Sequence, residues 1–171
     1  PELPEDAIRR LRGIARRTWL FFDRFAGPDD HWLPPDSFQE EPAMMLARRT
    51  SPTNMGMALV SALAAHDMGY LDTAALAGWL RNTLEHMHDL PRYRGHWLNW
   101  YSTRDMRPLE PRYVSTVDSG NLATCLLTLA RGLEAIADAP ADGGRLVHGL
   151  VDTLRVLRES VPVDGGGVLR E

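Results

Sequence analysis

Five stretches of this chain carry apolar residues at every third or fourth position, and prolines, glycines and capping residues lie between them. That period belongs to helices that bury one face. The first stretch runs from about residue 5 to 25, with Ile8, Leu11, Ala15, Trp19, Phe22 and Phe25 on one side. Arginines fill its other side, which reads as a solvated face, and Gly27-Pro28 stops it. A second helix opens at Ser51-Pro52-Thr53, where a hydroxyl caps and a proline occupies the first turn. It runs through Met55, Leu59, Leu63 and Met68 to Gly69. Asp72 or Thr73 caps a third, whose apolar side is Leu76, Leu80, Leu84 and Met87; Pro91 ends it. Ser115-Thr116-Val117-Asp118 has the form of a capping box with aspartate in place of glutamate. It opens a fourth helix through Leu122, Leu126, Leu129 and Leu133. After the segment ADAPADGG, a fifth covers about 144–159 with Leu146, Leu150, Leu154 and Leu157. No strand pattern, low-complexity tract or solenoid repeat appears. The expected class is all-α, about five helices, with consecutive helices antiparallel.

With 171 residues the chain suits one helical domain. Its formal charge of -4 gives no electrostatic case for nucleic acid or an anionic membrane. All 19 basic residues are arginine, so every cation carries a planar fork suited to paired contacts. No apolar run approaches the ~18 residues of a membrane span, and the polar, acidic start PELPEDAIRR is not a signal peptide. The single cysteine, Cys125, sits in an apolar run and reads as a small hydrophobe. One cysteine and scattered histidines make no metal site, and no cofactor is expected. His86 and His88 suit the C-terminus of the third helix. The missing initiator methionine and the closing DGGGVLRE suggest a piece of a longer protein.

Chemistry concentrates in residues 92–121, RYRGHWLNWYSTRDMRPLEPRYVSTVDSGN. Flat aromatic faces interleaved with forked donors suit a polyhydroxylated ligand such as a sugar. The same residues could equally plug the end of a bundle. The candidates are Arg94, His96, Trp97, Asn99, Trp100 and Tyr101, then the internal pair Arg104 and Asp105, then Tyr113 and Asp118. Asp118 reads first as a helix-capping carboxylate. A second group, Arg48 to Asn54, places Arg49 and Asn54 at a helix start, where backbone N–H groups are free. Asp36, Glu40, Glu41, Asp105, Glu110 and Asp118 are carboxylates that a glycosidase could use, but no spacing singles out a pair. No catalytic residue is assigned.

The strings HWLPPDSFQEEP, ARRTSPTNMGM and RGHWLNWYSTRDMRPLEPRYVSTVDSGNLA, with the opening ARRTWLFFDRF, resemble the central region of bacterial cyclic β-1,2-glucan synthases over roughly residues 10–135. The chain departs from that pattern at Trp97, where another aromatic is expected, at Ser102 in place of aspartate, and at Ala123-Thr124 in place of glycine and histidine. The resemblance implies a large inner-membrane protein that joins a UDP-glucose-dependent glucosyltransferase, a middle domain and a phosphorylase-like region. It implies that the middle domain is a glucoamylase-like (α/α)6 barrel that cyclises linear β-1,2-glucan by retaining transglycosylation. This chain would be the N-terminal part of that domain, a soluble piece on the cytoplasmic side, with its long loops in the sugar cleft and the catalytic glutamates downstream. Its partners would be the glucan chain and the other domains of the parent. A part-ring of helices should expose apolar faces and self-associate. A non-catalytic helical interaction module and a small free-standing hydrolase are the other readings.

Overall fold

The computed structural model describes residues 3–140 and 143–160. The glycine turn near the C-terminus lies outside the described residues. Five helices dominate: α1 (Glu5–Phe25), α2 (Pro52–Asp67), α3 (Thr73–Asp89), α4 (Thr116–Asp138) and α5 (Gly143–Ser160). The caps are those the sequence suggests. Ser51, Asp72 and Ser115 each accept the backbone N–H three residues on, from Asn54, Ala75 and Asp118.

The two long connections hold short antiparallel ladders that the sequence does not announce. β1 (Ser37–Gln39) pairs with β2 (Met45–Ala47), β3 (Arg49–Thr50) with β6 (Tyr101–Ser102), and β4 (Arg92–Tyr93) with β5 (His96–Trp97). Each strand has only two or three residues, too few for a period-two pattern to register. The β4–β5 turn is legible afterwards: Arg94 and Gly95 both take positive φ, as a two-residue type I′ hairpin requires.

Contacts along the helices fix their directions. Thr53 of α2 meets Asp118 and Asn121 of α4, Gly56 lies against Leu122 and Cys125, and Leu63 lies against Gly132. The two helices therefore run parallel. They approach closely because Gly56 and Gly132 have no side chain; a Cβ on Gly56 would sit 3.0 Å from the Cys125 Cβ. Likewise Arg12, Arg16 and Arg17 of α1 meet Asp152, Thr153 and Glu159 of α5, so those two are parallel. Arg12 also donates to the carbonyl of Met68, which caps the C-terminus of α2. Trp19 farther along α1 packs edge-on against Trp79 of α3, ring centres 5.9 Å apart. Helices α1, α3 and α5 thus run one way, and α2 and α4 the other. Each consecutive pair is antiparallel, and next-but-one helices form two layers.

The core sits between the layers. Helix α2 is apolar nearly all round and buries Met55, Ala58, Leu59, Ala62 and Leu63. Trp19, Leu76, Leu80, Met87, Leu122 and Leu129 close around it.

Two expectations about faces are overturned. The apolar positions Ile8 and Leu11 of α1 are exposed, whereas Arg12 and Arg16, expected on a solvated face, are turned inward. The leucines at 146, 150, 154 and 157 of α5 are exposed as well. What joins α1 to α5 is polar. Asp152, 3% exposed, accepts from Arg12 Nε at 2.7 Å and from Arg155 at 3.4 Å. The Tyr70 hydroxyl shares its proton between the Arg12 carbonyl and that carboxylate. Burial, and then the Asp152 charge, push the Tyr70 phenol up to about 12. The reason is steric. Gly149 of α5 lies so close to the α2–α3 turn that a Cβ there would stand 2.0 Å from the Gly69 carbonyl oxygen. Only a residue without a side chain fits there, so the Gly149 side of α5 is the one that faces inward.

Among the described residues no helix is long and apolar enough to cross a membrane.

Candidate functional site

Because α2 and α4 are parallel, their N-termini lie side by side, and both long connections converge on them. Free backbone N–H groups at a helix start invite polar side chains. Here the side chains bridge the helices. The Thr53 hydroxyl donates to the Asp118 carboxylate at 2.5 Å and accepts from Asn121 Nδ2 at 3.0 Å. The neighbouring Asn54 donates to Asp36 Oδ1 at 3.3 Å, and Arg49 holds Asp36 Oδ2 through Nε and Nη2 at 3.1 and 2.9 Å. The Arg49 guanidinium lies 4.6 Å from the centre of the Trp100 ring. So Asp36, Arg49, Thr53, Asn54, Trp100, Asp118 and Asn121 form one constellation, drawn from two loops and two helix starts. The carboxylate of Asp118 is directed at α2; the capping itself is done by Ser115.

Several bonds lock the two loops together beneath it. Asp30, 4% exposed, accepts from the Thr103 hydroxyl at 2.7 Å and pairs with Arg48. His31 faces the Thr103 carbonyl at 2.9 Å, so its Nδ1 carries the proton. Thr103 N–H donates to the Arg48 carbonyl, continuing the β3–β6 ladder.

Two of the candidate sugar contacts are buried within the loop. Tyr101 is fully buried; its hydroxyl donates to the Pro91 carbonyl and accepts from Leu98 N–H, both at 2.7 Å. Asn99, 3% exposed, exchanges bonds with the Tyr113 backbone. Both are loop scaffold, since each is surrounded by the backbone it organises. Trp97 is half-buried. It donates to the Met87 carbonyl at the end of α3 and carries Arg92 on its ring. Arg94 and His96 belong to the β4–β5 hairpin and are exposed, as are Arg104, Asp105 and Tyr113. The Ser102 hydroxyl, and then the Arg107 N–H, hold the Asp105 carboxyl below its usual range. That carboxylate closes its own turn and is not paired with Arg104.

The parts missed by sequence reasoning are Asn121 and the joining role of Thr53. Both sit in or near first turns, but only the parallel pairing of α2 with α4 brings them together.

Chemically, this surface offers hydroxyl recognition. Ionised carboxylates accept from ligand hydroxyls, amide and guanidinium groups donate, and an indole supplies an apolar face. Among the described residues no group of three or more histidines, cysteines or carboxylates is placed to hold a metal ion. Burial pushes the Cys125 thiol up, away from the thiolate that a nucleophile needs.

No protein-family model matches the chain. Over 159 residues, 92% of its length, it is 43% identical to the cyclic β-(1,2)-glucan synthase NdvB of Rhizobium meliloti (strain 1021). It spans only 6% of that protein. Among solved structures it is similar to a Bacteroides fragilis NCTC 9343 protein assigned as a glucoamylase, with TM-score 0.62 and 18% identity over 92% of this chain and 36% of that one. It is also similar to an endo-β-1,2-glucanase from Chitinophaga pinensis, solved with sophorotriose and glucose, with TM-score 0.59 and 14% identity over 92% and 36%. These structures bear out the fold: five alternating helices that form part of a glucoamylase-like (α/α)6 barrel. The resemblance to cyclic β-1,2-glucan synthases is likewise borne out along nearly the whole chain.

Proposed function

We propose that this segment of a cyclic β-1,2-glucan synthase forms the N-terminal part of a glucan-cyclising transglycosylation domain and contributes sugar-binding loops to it. The observation that carries the reading is the constellation at the paired starts of α2 and α4, in a chain 43% identical to a glucan synthase over 92% of its length. A β-1,2-linked glucan chain lies across that surface. Trp100 offers its face to a pyranose ring, and Arg49, Asn54, Asp118 and the exposed Arg104 take hydroxyls. The retaining chemistry belongs to residues outside this chain, and the isolated segment is inactive. In the parent, an inner-membrane protein, it folds on the cytoplasmic side against the other domains.

Titrating linear β-1,2-gluco-oligosaccharides while following tryptophan fluorescence and backbone NMR shifts tests this. The expected result is saturable change at Trp100 and at the starts of α2 and α4. Silence there at millimolar sugar, with the loops ordered, would overturn it.

A non-catalytic interaction module would require the loop aromatics and arginines to be wholly internal. Tyr101 meets that condition, but Trp97 and Trp100 are half-buried and Arg104 is exposed, which favours ligand binding.

A further inference from the structure

The ladder of β3 and β6 has only two residue pairs, Arg49 with Ser102 and Thr50 with Tyr101. Two pairs are too few to hold a register by themselves. Yet the ladder brings Arg49 onto the Trp100 ring. We infer that buried Asp30 is a positioning residue: it pins the β3–β6 register from beneath and so sets Arg49 against Trp100 on the ligand side. This rests on the sugar-binding reading above and deepens it.

Three observations carry it. The first is register. The pairs Thr50–Tyr101 and Arg49–Ser102 bring Arg48 opposite Thr103, whose N–H donates to the Arg48 carbonyl at 3.1 Å. Asp30 takes one side chain from each: Oδ1 accepts from the Thr103 hydroxyl at 2.7 Å, and Oδ2 pairs with Arg48. One carboxylate reaches both only when the two stand opposite each other. The Thr50 hydroxyl, buried with no partner among the described residues, adds no such preference. The second is facing. Side chains along a strand alternate between its two sides. Thr50, Tyr101 and Thr103 lie on the Asp30 side and have no exposed surface. Arg49 and Trp100 lie on the other side as diagonal neighbours, with the guanidinium 4.6 Å from the ring centre. A slip of one residue would turn one of the two toward the core. Asp36 grips Arg49 and Asn54, neither of them on β6, so it does not set that alignment. The third is strain. His31 and Trp32 follow Asp30 with φ of 55° and 57°, a left-handed pair without a glycine. Such backbone persists only where its surroundings hold it. Trp32 N–H donates to the Gly27 carbonyl at 2.9 Å, and the Trp32 carbonyl accepts from the Thr83 hydroxyl at 3.2 Å. The strained corner thereby delivers two successive side chains, Asp30 and His31, to Thr103, which is 73 and 72 positions away.

The test begins with NMR of the sugar-free chain. The native chain should show cross-strand contacts between Arg49 and Ser102 and a ring-current shift of the Arg49 side chain under Trp100. Asp30→Asn keeps the shape and removes the charge; Thr103→Val keeps the shape and removes the hydroxyl; Thr103→Ser keeps the hydroxyl. The asparagine and valine variants should lose the ring-current shift and the serine variant should keep it, with helix amide shifts unchanged in all three. A residue that only stabilises the fold would lower the melting temperature and leave the Arg49 shift in place, and that result overturns the inference. If Asp30→Asn does not fold, the valine and serine variants decide alone. Calorimetry with linear β-1,2-gluco-oligosaccharides follows. Affinity should fall about tenfold in the asparagine and valine variants, because two side chains must then be ordered on binding, and stay native with serine. If no sugar binds the native chain, the sugar-binding reading is wrong, and the sugar-free spectra still decide the role of Asp30.

Discussion

Helices α2 and α5 are of similar length, and both are rich in leucine or alanine, yet they sit in opposite situations. Helix α2 is enclosed: Met55, Ala58, Leu59 and Ala62 have no exposed surface. Helix α5 turns Leu150, Leu154 and Leu157 outward, each half exposed or more, and buries Gly149 and Asp152 instead. A leucine stripe therefore does not say by itself which way a helix faces. In α5 a glycine contact and a buried carboxylate outweigh it, and the stripe is left for something else to cover.

The sharpest way to break this contrast is truncation. Leu59→Ala should cost about 2–5 kcal/mol, while Leu154→Ala should stay within about 0.5 kcal/mol. Equal losses in denaturant melts would mean that α5 is buried too. Next comes the joint. Gly149→Ala pushes a methyl group into the Gly69 carbonyl, which no rotamer change relieves. It should cost about 1–3 kcal/mol, and hydrogen exchange should show α5 losing protection while α2 keeps it. Uniform loss over all helices would show that α5 does not detach separately.

A smaller effect comes from His66, where α2 meets α5. Its Nδ1 accepts from Arg145 at 2.6 Å, and Nε2 faces the Thr73 hydroxyl. Burial, and then the Arg145 charge, lower its pKa from 6.5. The neutral form is the folded one, so the unfolded chain binds the proton more readily. Stability is therefore full above pH 6.5 and is lost as pH falls through the folded value. The slope for one proton is at most about 1.4 kcal/mol per pH unit. Melting temperatures of native protein and His66→Gln should diverge above pH 6.5 and converge in acid; parallel curves would remove His66 from the joint. The smallest effect on stability belongs to Leu150→Arg/Leu154→Arg. It should leave the melt within about 0.5 kcal/mol while reducing self-association in sedimentation experiments. Unchanged association would place the sticky face elsewhere.

Helix positions, caps and class were readable, because Ser51, Asp72, Ser115 and the glycine at 69 are local signals. Orientation was not. Nothing local tells Arg12 that a carboxylate from residue 152 will meet it, so its face reads as solvated. The candidate site was half readable. Residue types marked Trp100, Arg49, Asn54 and Asp118, but burial of Tyr101 and Asn99 depends on backbone groups at Pro91, Leu98 and Tyr113 that only the folded loop presents. Thr53 and Asn121 needed the parallel pairing of α2 and α4 before they meant anything.

That pairing has an electrical consequence. Two helix dipoles pointing the same way add at their shared end, each worth roughly half a positive charge there. The floor beneath Trp100 is thus locally electropositive in a chain whose overall charge is -4. Asp36 and Asp118 act as its counter-ions, and a mutant carrying amides at both would turn a floor that welcomes hydroxyl protons into one that attracts anions.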